Sequence, residues 1–287
     1  FRAALVASII AGFFGGRVFY WNCGEPWKYK RNFWRESLER RVYKMITYLV
    51  TGAETLAIRY SEHYGIPREK IKIMPNWIDL EKIKYQILNI KNEERERIKD
   101  GLKIPENQKI ILFAHRLSER KGAHYLPEIL KKLDTSRQAR GIPPVVLLIA
   151  GDGPERKSVE SKIKDYGLSD RARFLGWVPQ EEIVKYYAAA DLFLMPSDEE
   201  GFPHVLLESM AVGVPYVATN VGAVRDISPA IEQPYIVAAG DWRAMAEAVT
   251  MLLGMPAEER SQFGEDLREF VKKYGLKNSA DIFGKLF

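Results

Sequence analysis

Two glutamates, Glu200 and Glu208, have the spacing that most suggests chemistry in this chain of 287 residues. They lie eight positions apart, a little over two helical turns, so their side chains can share one face of a helix. The apolar segment Leu192–Met195 precedes them, and Tyr216–Thr219 follows after Gly213. Because ligands of open α/β sheets bind outside the carboxyl ends of strands, the pair is predicted to lie at a ligand site.

The residues between the two acids begin with Gly201, Phe202, Pro203, His204 and Val205. Pro203 suits the first turn of a helix, because the N–H that it lacks would have no partner there. Unpaired N–H groups in such a turn attract phosphate, so this segment is predicted to bind phosphate. The role of His204 stays open between a phosphate donor, a sugar contact and a bystander.

Two basic residues, Arg116 and Lys121, follow the predicted strand Lys109–Ala114, and Gly122 then opens a helix. A planar guanidinium and a mobile ammonium both suit phosphate oxygens. Their place after a strand end favours a phosphate site over the alternative, a solvated basic loop.

Helices and strands alternate along the chain, which predicts parallel sheets. An upstream unit has a helix at Arg2–Phe14 and strands at Val18–Trp21, Tyr48–Thr51 and Lys70–Asn76, with a helix whose apolar residues are Trp34, Leu38, Val42 and Met45. A charged, helical connector covers about Leu80–Asn107. A complete doubly wound unit follows. Its predicted strands are Lys109–Ala114, Val145–Ala150, Arg173–Leu175, Leu192–Met195 and Tyr216–Thr219. Its predicted helices are about Ala123–Leu133, Glu155–Tyr166, Gln180–Ala189, Pro203–Val212, Trp242–Leu253 and Ala257–Lys273, and a last helix runs from about Lys277 to Leu286.

Bulk composition is that of a folded chain, with 46% hydrophobic and 28% charged residues and a net charge of +5. This charge is too mild to require nucleic acid as a partner. Cys23 is the only cysteine, so a disulfide within the chain is impossible and a reducing compartment is predicted. The scattered histidines have no metal-ligand spacing, and the apolar run Ala3–Gly16 is shorter than the roughly 20 residues that span a bilayer.

The segment from Glu200 to Glu208 resembles the E-x(7)-E signature of retaining, nucleotide-sugar-dependent glycosyltransferases of the GT-B fold, the glycosyl transferases group 1 family. The Met210-Ala211-Val212-Gly213-Val214-Pro215 segment matches the same signature. The resemblance implies an α/β fold in which two Rossmann-like, doubly wound domains face a cleft and the N-terminal domain is incomplete. The implied parts are an acceptor-side domain at 1–80, a connector at 81–107, a nucleotide-sugar-binding domain at 108–270, and a C-terminal helix at 271–287 that crosses back to the first domain.

The resemblance also assigns roles. Glu200 matches the acid near the donor sugar, an assignment that depends on register because Asp198 and Glu199 adjoin it. Arg116 and Lys121 match the residues that hold the donor diphosphate, and Glu208 matches the acceptor of hydrogen bonds from ribose hydroxyls. The implied donor-binding set further includes Gly201, Phe202, Pro203, His204, Val205, Val178, Gly151 and Gly222, with Asn22 and Asn76 on the acceptor side.

The implied reaction moves a sugar from a UDP- or GDP-sugar to an acceptor hydroxyl with retention of anomeric configuration, without a metal or cofactor. The acceptor would be a glycan or a lipid-linked sugar. Two alternatives keep the fold: a catalytically inactive, nucleotide-sugar-binding partner subunit, and a nucleotide-sugar epimerase. Gly151-Asp152-Gly153-Pro154 lacks the third glycine of a dinucleotide fingerprint, so an NAD site is not predicted.

Aromatic and basic residues interleave from Tyr20 to Arg41. Their pattern predicts contact with an anionic membrane surface, and hence a cytoplasmic protein at the cytoplasmic face of a membrane. The alternative is a set of half-buried core aromatics beside a solvated basic face. No RNA-binding motif accompanies them.

Overall fold

The computed structural model describes residues 2–30, 32–89 and 94–286. It is an α/β fold with two parallel sheets, as the sequence predicts. The strands are β1 (Phe19–Trp21), β2 (Tyr48–Thr51), β3 (Ile71–Ile73), β4 (Lys109–Ala114), β5 (Val145–Ala150), β6 (Ala172–Gly176), β7 (Leu192–Met195), β8 (Tyr216–Thr219) and β9 (Ile236–Val237). The α-helices are α1 (Arg2–Phe14), α2 (Phe33–Met45), α3 (Glu54–Tyr64), α4 (Leu80–Asn89), α5 (Glu94–Gly101), α6 (Leu126–Arg140), α7 (Arg156–Asp165), α8 (Gln180–Ala189), α9 (His204–Val212), α10 (Val224–Ile227), α11 (Trp242–Leu253), α12 (Ala257–Val271) and α13 (Leu276–Leu286).

The smaller sheet has the strand order β1-β2-β3, with Val50 of β2 between Trp21 and Lys72. Its apolar core is separate from that of the larger sheet and includes Leu49, Tyr60 and Ile71. Short strands are sufficient here because the sheet packs against α2 and α3, which contribute buried Val42, Tyr43, Ala57 and Tyr60.

Helix α2 forms where predicted, and only part of its apolar pattern is buried. Of Trp34, Leu38, Val42 and Met45, only Val42 is buried. The buried face carries Glu39, Val42 and Tyr43 instead. Helical spacing therefore predicts the helix but does not show which of its faces is buried.

The larger sheet has the strand order β6-β5-β4-β7-β8-β9, all parallel. This is the order of a doubly wound nucleotide-binding sheet. The strands run in descending chain order from β6 to β4 and in ascending order from β7 to β9, so the order reverses between β4 and β7. The sequence analysis found the first five strands of this sheet but not β9, which has only two residues and no readable pattern.

The connector packs more closely than its charged sequence suggests. Helix α4 lies against α8 and α9, and α5 lies against α8. Ile83 and Ile98 are buried in these contacts, so a few apolar residues hold the segment to the second unit. Connector and domain boundaries stay predictions.

The C-terminal segment returns to the first unit. Ile78 N–H donates to the Tyr274 carbonyl at 3.0 Å, and a parallel bridge joins Ile78 to Gly275 just before α13. Within the described residues no helix combines the length and apolar character needed to cross a membrane.

Candidate nucleotide-sugar site

A cleft opens beside the point where the strand order reverses, at the carboxyl ends of β4, β5 and β6 and beside α8 and α9. Its volume is about 520 Å³. Arg116 follows β4, Gly151 follows β5, Val178 follows β6, and Glu208 projects from α9 into the same space. Four of the predicted donor residues therefore meet in one cleft at the position where doubly wound folds bind nucleotides.

Glu200 lies in the loop after β7, buried, with three polar groups around one oxygen. Its Oε1 accepts hydrogen bonds from Lys121 Nζ at 2.7 Å and Ser197 Oγ at 2.8 Å. His115 Nε2 lies 3.1 Å from the same oxygen. The interaction with Lys121 brings together two of the predicted catalytic residues.

The charge of Glu200 is stabilised strongly by these neighbours. Burial alone would raise the pKa of Glu200, but His115 and Lys121 outweigh it and hold the pKa at about 2. The residue is therefore a fixed negative charge at neutral pH.

Glu208 has the opposite environment. Burial raises its pKa, and the hydrogen bond from the Tyr187 hydroxyl, 3.2 Å from Oε2, offsets this only in part. Burial and the neighbouring carboxylate also raise the pKa of Tyr187 well above its ordinary value, so this hydroxyl remains a donor. The carboxylate faces the cleft and can accept from a ligand hydroxyl.

Only one of the two acids, Glu208, lies on a helix. Helix α9 begins at His204, so Glu200 lies four positions before it and the pair shares no helical face. The two acids instead have separate supports, Lys121 for Glu200 and Tyr187 for Glu208. The helical spacing of Glu200 and Glu208 therefore does not place them on one face, because Gly201 to Pro203 form a loop.

The acids beside Glu200 have different partners. Asp198 accepts from the Tyr125 hydroxyl at 3.2 Å. Glu199 accepts from Arg120 at 3.1 Å and from the Tyr29 hydroxyl of the first unit at 2.6 Å. Their contacts differ from those of Glu200, which lies beside Lys121 and His115.

Arg116 is the cation available to a ligand. It is exposed in the cleft, and within the described part of the chain its side chain makes no hydrogen bond or ion pair. Lys121, in contrast, is already paired with Glu200. An incoming phosphate would meet Arg116 directly and would reach Lys121 only in competition with that ion pair.

The segment Gly201 to Val205 forms the loop before α9 and the first two residues of that helix. Pro203 is the N-cap of α9, and among the described residues no side chain caps this end. The Phe202 ring is buried against Gly52 and edge-on to Tyr274, so it packs between the two units. His204 is exposed and, with Glu208, lines a neighbouring cavity of about 280 Å³.

Two glycines allow close backbone approach between loops at the strand ends. Gly151 has φ of +141°, and a Cβ there would lie 2.0 Å from the His115 carbonyl oxygen. Gly222 has φ of +55°, and a Cβ would lie 2.3 Å from the Glu200 carbonyl oxygen. Both positions therefore require glycine for the loops at the strand ends to touch.

The predicted acceptor-side residues, Asn22 and Asn76, lie in loops after β1 and β3. Asn22 Oδ1 accepts from Gly24 N–H at 2.9 Å, and its Nδ2 lies 3.3 Å from the Tyr43 hydroxyl. Asn76 Oδ1 lies 3.6 Å from Cys23 Sγ. These contacts shape the loops, and their role toward an acceptor stays a prediction.

Sequence reasoning missed His115, Ser197 and Tyr187. His115 had a signal, since it stands beside Arg116 directly after a strand. Ser197 and Tyr187 had none, because their roles depend on proximity in space to Glu200 and Glu208. Within the described ranges no cluster of three His, Cys, Asp or Glu side chains could hold a metal ion.

A family model described as Glycosyl transferases group 1 matches residues 94–270 of this chain. The chain is similar to the 2-deoxystreptamine glucosyltransferase of Streptomyces kanamyceticus, with 25% identity over 86% of this chain and 61% of the relative. It is 29% identical to the D-inositol 3-phosphate glycosyltransferase of Corynebacterium urealyticum, over 88% of this chain and 59% of the relative. The chain thus spans about three fifths of the length of these relatives.

Solved structures show the same fold. Anabaena HepE in complex with UDP superposes with a TM-score of 0.81 at 18% identity, covering 99% of this chain and 75% of that protein. Sucrose-phosphate synthase from Thermosynechococcus elongatus gives a TM-score of 0.78 at 22% identity, covering 99% and 70% of the two chains.

Proposed function

This chain belongs to the glycosyl transferases group 1 family, and we propose that it binds a nucleotide-sugar in the 520 Å³ cleft and transfers the sugar to an acceptor hydroxyl. The observation that supports this most is that Arg116, whose side chain has no partner among the described residues, lines the same cleft as Glu208 at the reversal point of the sheet. A cation for the diphosphate and a carboxylate for the ribose are the two polar partners that a nucleotide needs there. The donor is a UDP- or GDP-sugar.

In the proposed reaction, the bond from the anomeric carbon to the diphosphate oxygen breaks, and a bond from that carbon to the acceptor oxygen forms on the same face. The acceptor proton passes to the departing diphosphate, so anomeric configuration is retained and no enzyme base takes part. Arg116 stabilises the negative charge that develops on the diphosphate. Unpaired N–H groups at the start of α9 add to it.

Glu200 has a distinct place in this scheme. Its charge, held by Lys121 and His115, would stabilise positive charge that develops at the anomeric carbon and would hold a hydroxyl of the donor sugar. Lys121 is paired with this carboxylate in the structure, so it would have to leave that ion pair to reach a phosphate. The proposal involves no metal or cofactor, and the acceptor is a glycan or a lipid-linked sugar.

The test is calorimetric titration of this chain with UDP and with GDP. We expect one nucleotide to bind, and Arg116→Ala and Glu208→Ala each to weaken it by about tenfold or more. Arg243→Ala and Glu265→Ala remove the same side-chain types from exposed positions outside the cleft and should leave binding unchanged. Failure of both nucleotides to bind would refute the donor site.

Donor turnover separates the enzyme from the epimerase alternative. A transferase consumes the nucleotide-sugar in proportion to added acceptor, whereas an epimerase converts the donor sugar without one. We expect product to form only when an acceptor hydroxyl is supplied. Conversion of the donor sugar without an acceptor would favour the epimerase.

A further inference from the structure

The outward face of α2 is an apolar surface that no described element covers. Phe33 and Trp34 are 77% and 79% exposed, and Leu38 and Met45 are 38% and 48% exposed. The rings of Phe33 and Trp34 lie edge to face, 5.8 Å apart. Exposure of large apolar side chains to water is energetically unfavourable. A cluster of them therefore indicates an interaction surface.

These residues form one continuous face. At 100° per residue, they fall within an arc of about 140° around the helix axis, together with Arg41 and Lys44. The opposite face carries Glu39, Val42 and Tyr43 and is buried in the first unit. The exposed face therefore points away from the core that α2 itself helps to form.

The exposed charges on α2 are all basic. Arg35, Arg41 and Lys44 are exposed, and within the described part of the chain Arg41 and Lys44 have no hydrogen bond or ion pair. The helix also has two acids, but Glu36 is paired with Arg40 at 2.9 Å and Glu39 is buried. A ligand for this face would meet aromatic and aliphatic side chains among uncompensated cations.

We propose that this face of α2, defined by Phe33, Trp34, Leu38, Arg41, Lys44 and Met45, docks on an anionic lipid surface. Aromatic side chains settle at headgroup depth, and long basic side chains extend their charges toward lipid phosphates while their stems stay apolar. The helix would lie in the plane of the interface. Negatively charged lipid complements the uncompensated cations of this face, which a neutral apolar partner would leave unpaired.

The sequence placed this surface across Tyr20–Arg41, whereas the structure restricts it to α2 and extends it to Met45. Trp27 packs edge-on to Tyr60, and Tyr29 donates to Glu199, so neither belongs to the docking face. Arg31 lies outside the described residues. The inference concerns a surface of the first unit and is independent of donor binding in the second.

The test is co-sedimentation with vesicles of phosphatidylcholine alone or with increasing phosphatidylglycerol. We expect binding only to the anionic vesicles, weakening as salt is raised. Arg41→Glu/Lys44→Glu should weaken it by roughly 30-fold or more, since each lost cation counts for about fivefold. Trp34→Ser/Leu38→Ser should weaken it by at least about tenfold.

Matched controls lie elsewhere on the chain. Lys157→Glu/Lys164→Glu on α7 gives the same change of charge, and Leu88→Ser/Met251→Ser removes comparably exposed apolar side chains. Both should bind vesicles like the parent chain, and circular dichroism should show all variants folded. The proposal is overturned if the parent chain binds neither vesicle, if it binds both equally, or if the α2 variants bind like their controls.

Discussion

The two acids of the site differ in how the protein treats their charge. Glu200 is surrounded by Lys121 and His115 and has a pKa of about 2, whereas the pKa of Glu208 is raised by burial beside Tyr187. A permanently charged carboxylate suits electrostatic stabilisation of a cationic centre. A less strongly held carboxylate suits hydrogen bonding to neutral hydroxyls of a ligand.

The low pKa of Glu200 makes a prediction about stability. Its folded pKa is about 2 against an ordinary 4.5, so its charge stabilises the fold above pH 4.5, and this contribution is lost as pH falls toward 2. Glu200→Gln should therefore lower the free energy of unfolding by up to about 3 kcal/mol near pH 6 and by progressively less as pH falls. Urea unfolding across this range measures the difference.

A matched substitution isolates the effect. Glu265 is exposed on α12, so Glu265→Gln should differ little from the parent chain at every pH. A gap between Glu200→Gln and the parent chain that stays constant from pH 6 to pH 3 would contradict the fixed charge of Glu200.

Residue types and the family resemblance predicted candidate ligand-facing side chains but not the residues that support them. Arg116 was recognisable because it follows the end of β4, and Glu208 because it completes the E-x(7)-E signature. The supports come from distant parts of the chain: Lys121 reaches Glu200 across 79 positions. Such pairings depend on the sheet order, which no local pattern records.

At the scale of elements, glycine contacts hold the loops of the two units together. Gly201 lies so close to the loop after β1 that a Cβ would be 1.9 Å from the Cys23 carbonyl oxygen. We expect Gly201→Ala to separate the loops and lower the free energy of unfolding by about 1–3 kcal/mol. Chemical denaturation measures this loss.

Gly101 provides the control for Gly201. It ends α5, has no neighbouring atom within 4 Å of an added Cβ, and has an ordinary φ. Gly101→Ala should leave stability unchanged or raise it by up to about 1 kcal/mol. Equal effects of the two substitutions would show that the contact between Gly201 and Cys23 has no energetic weight.

Strands were easier to predict than helix faces. The central strands of the larger sheet are buried on both sides and read as continuous apolar runs, such as Val145–Ala150. Helix α2 was harder, because its apolar residues occupy both a core face and an outward face. Periodicity shows that a helix forms, but it does not show which partner each face has.

Polar contacts of Tyr29 with Glu199 and Arg120 join the two units of the molecule. The Tyr29 hydroxyl donates to Glu199 Oε1 at 2.6 Å, and Arg120, paired with the same carboxylate, lies over the Tyr29 ring at 5.3 Å. Glu199 and Arg120 adjoin Glu200 and Lys121 in sequence. The contact of Tyr29 with Glu199 therefore lies next in sequence to the Lys121–Glu200 ion pair.

This arrangement predicts that Tyr29 controls closure but not nucleotide affinity. Tyr29→Phe keeps the ring over Arg120 and removes only the hydroxyl. A double-mutant cycle with Glu199→Gln should give a coupling energy of about 1–2 kcal/mol. Amide hydrogen exchange should rise in the loop after β1 and in the loop after β7, because the two units separate more often.

UDP or GDP affinity should stay unchanged in Tyr29→Phe, since the residues lining the 520 Å³ cleft all belong to the second unit. The matched control is the hydrogen bond from Tyr166 to Glu128, which lies within that unit. Tyr166→Phe removes a hydroxyl of the same kind and should leave exchange in both inter-unit loops as it was. If Tyr29→Phe also leaves that exchange unchanged, closure depends on the other contacts between the units, such as the packing of Gly201 and Phe202, and Tyr29 is only a surface contact.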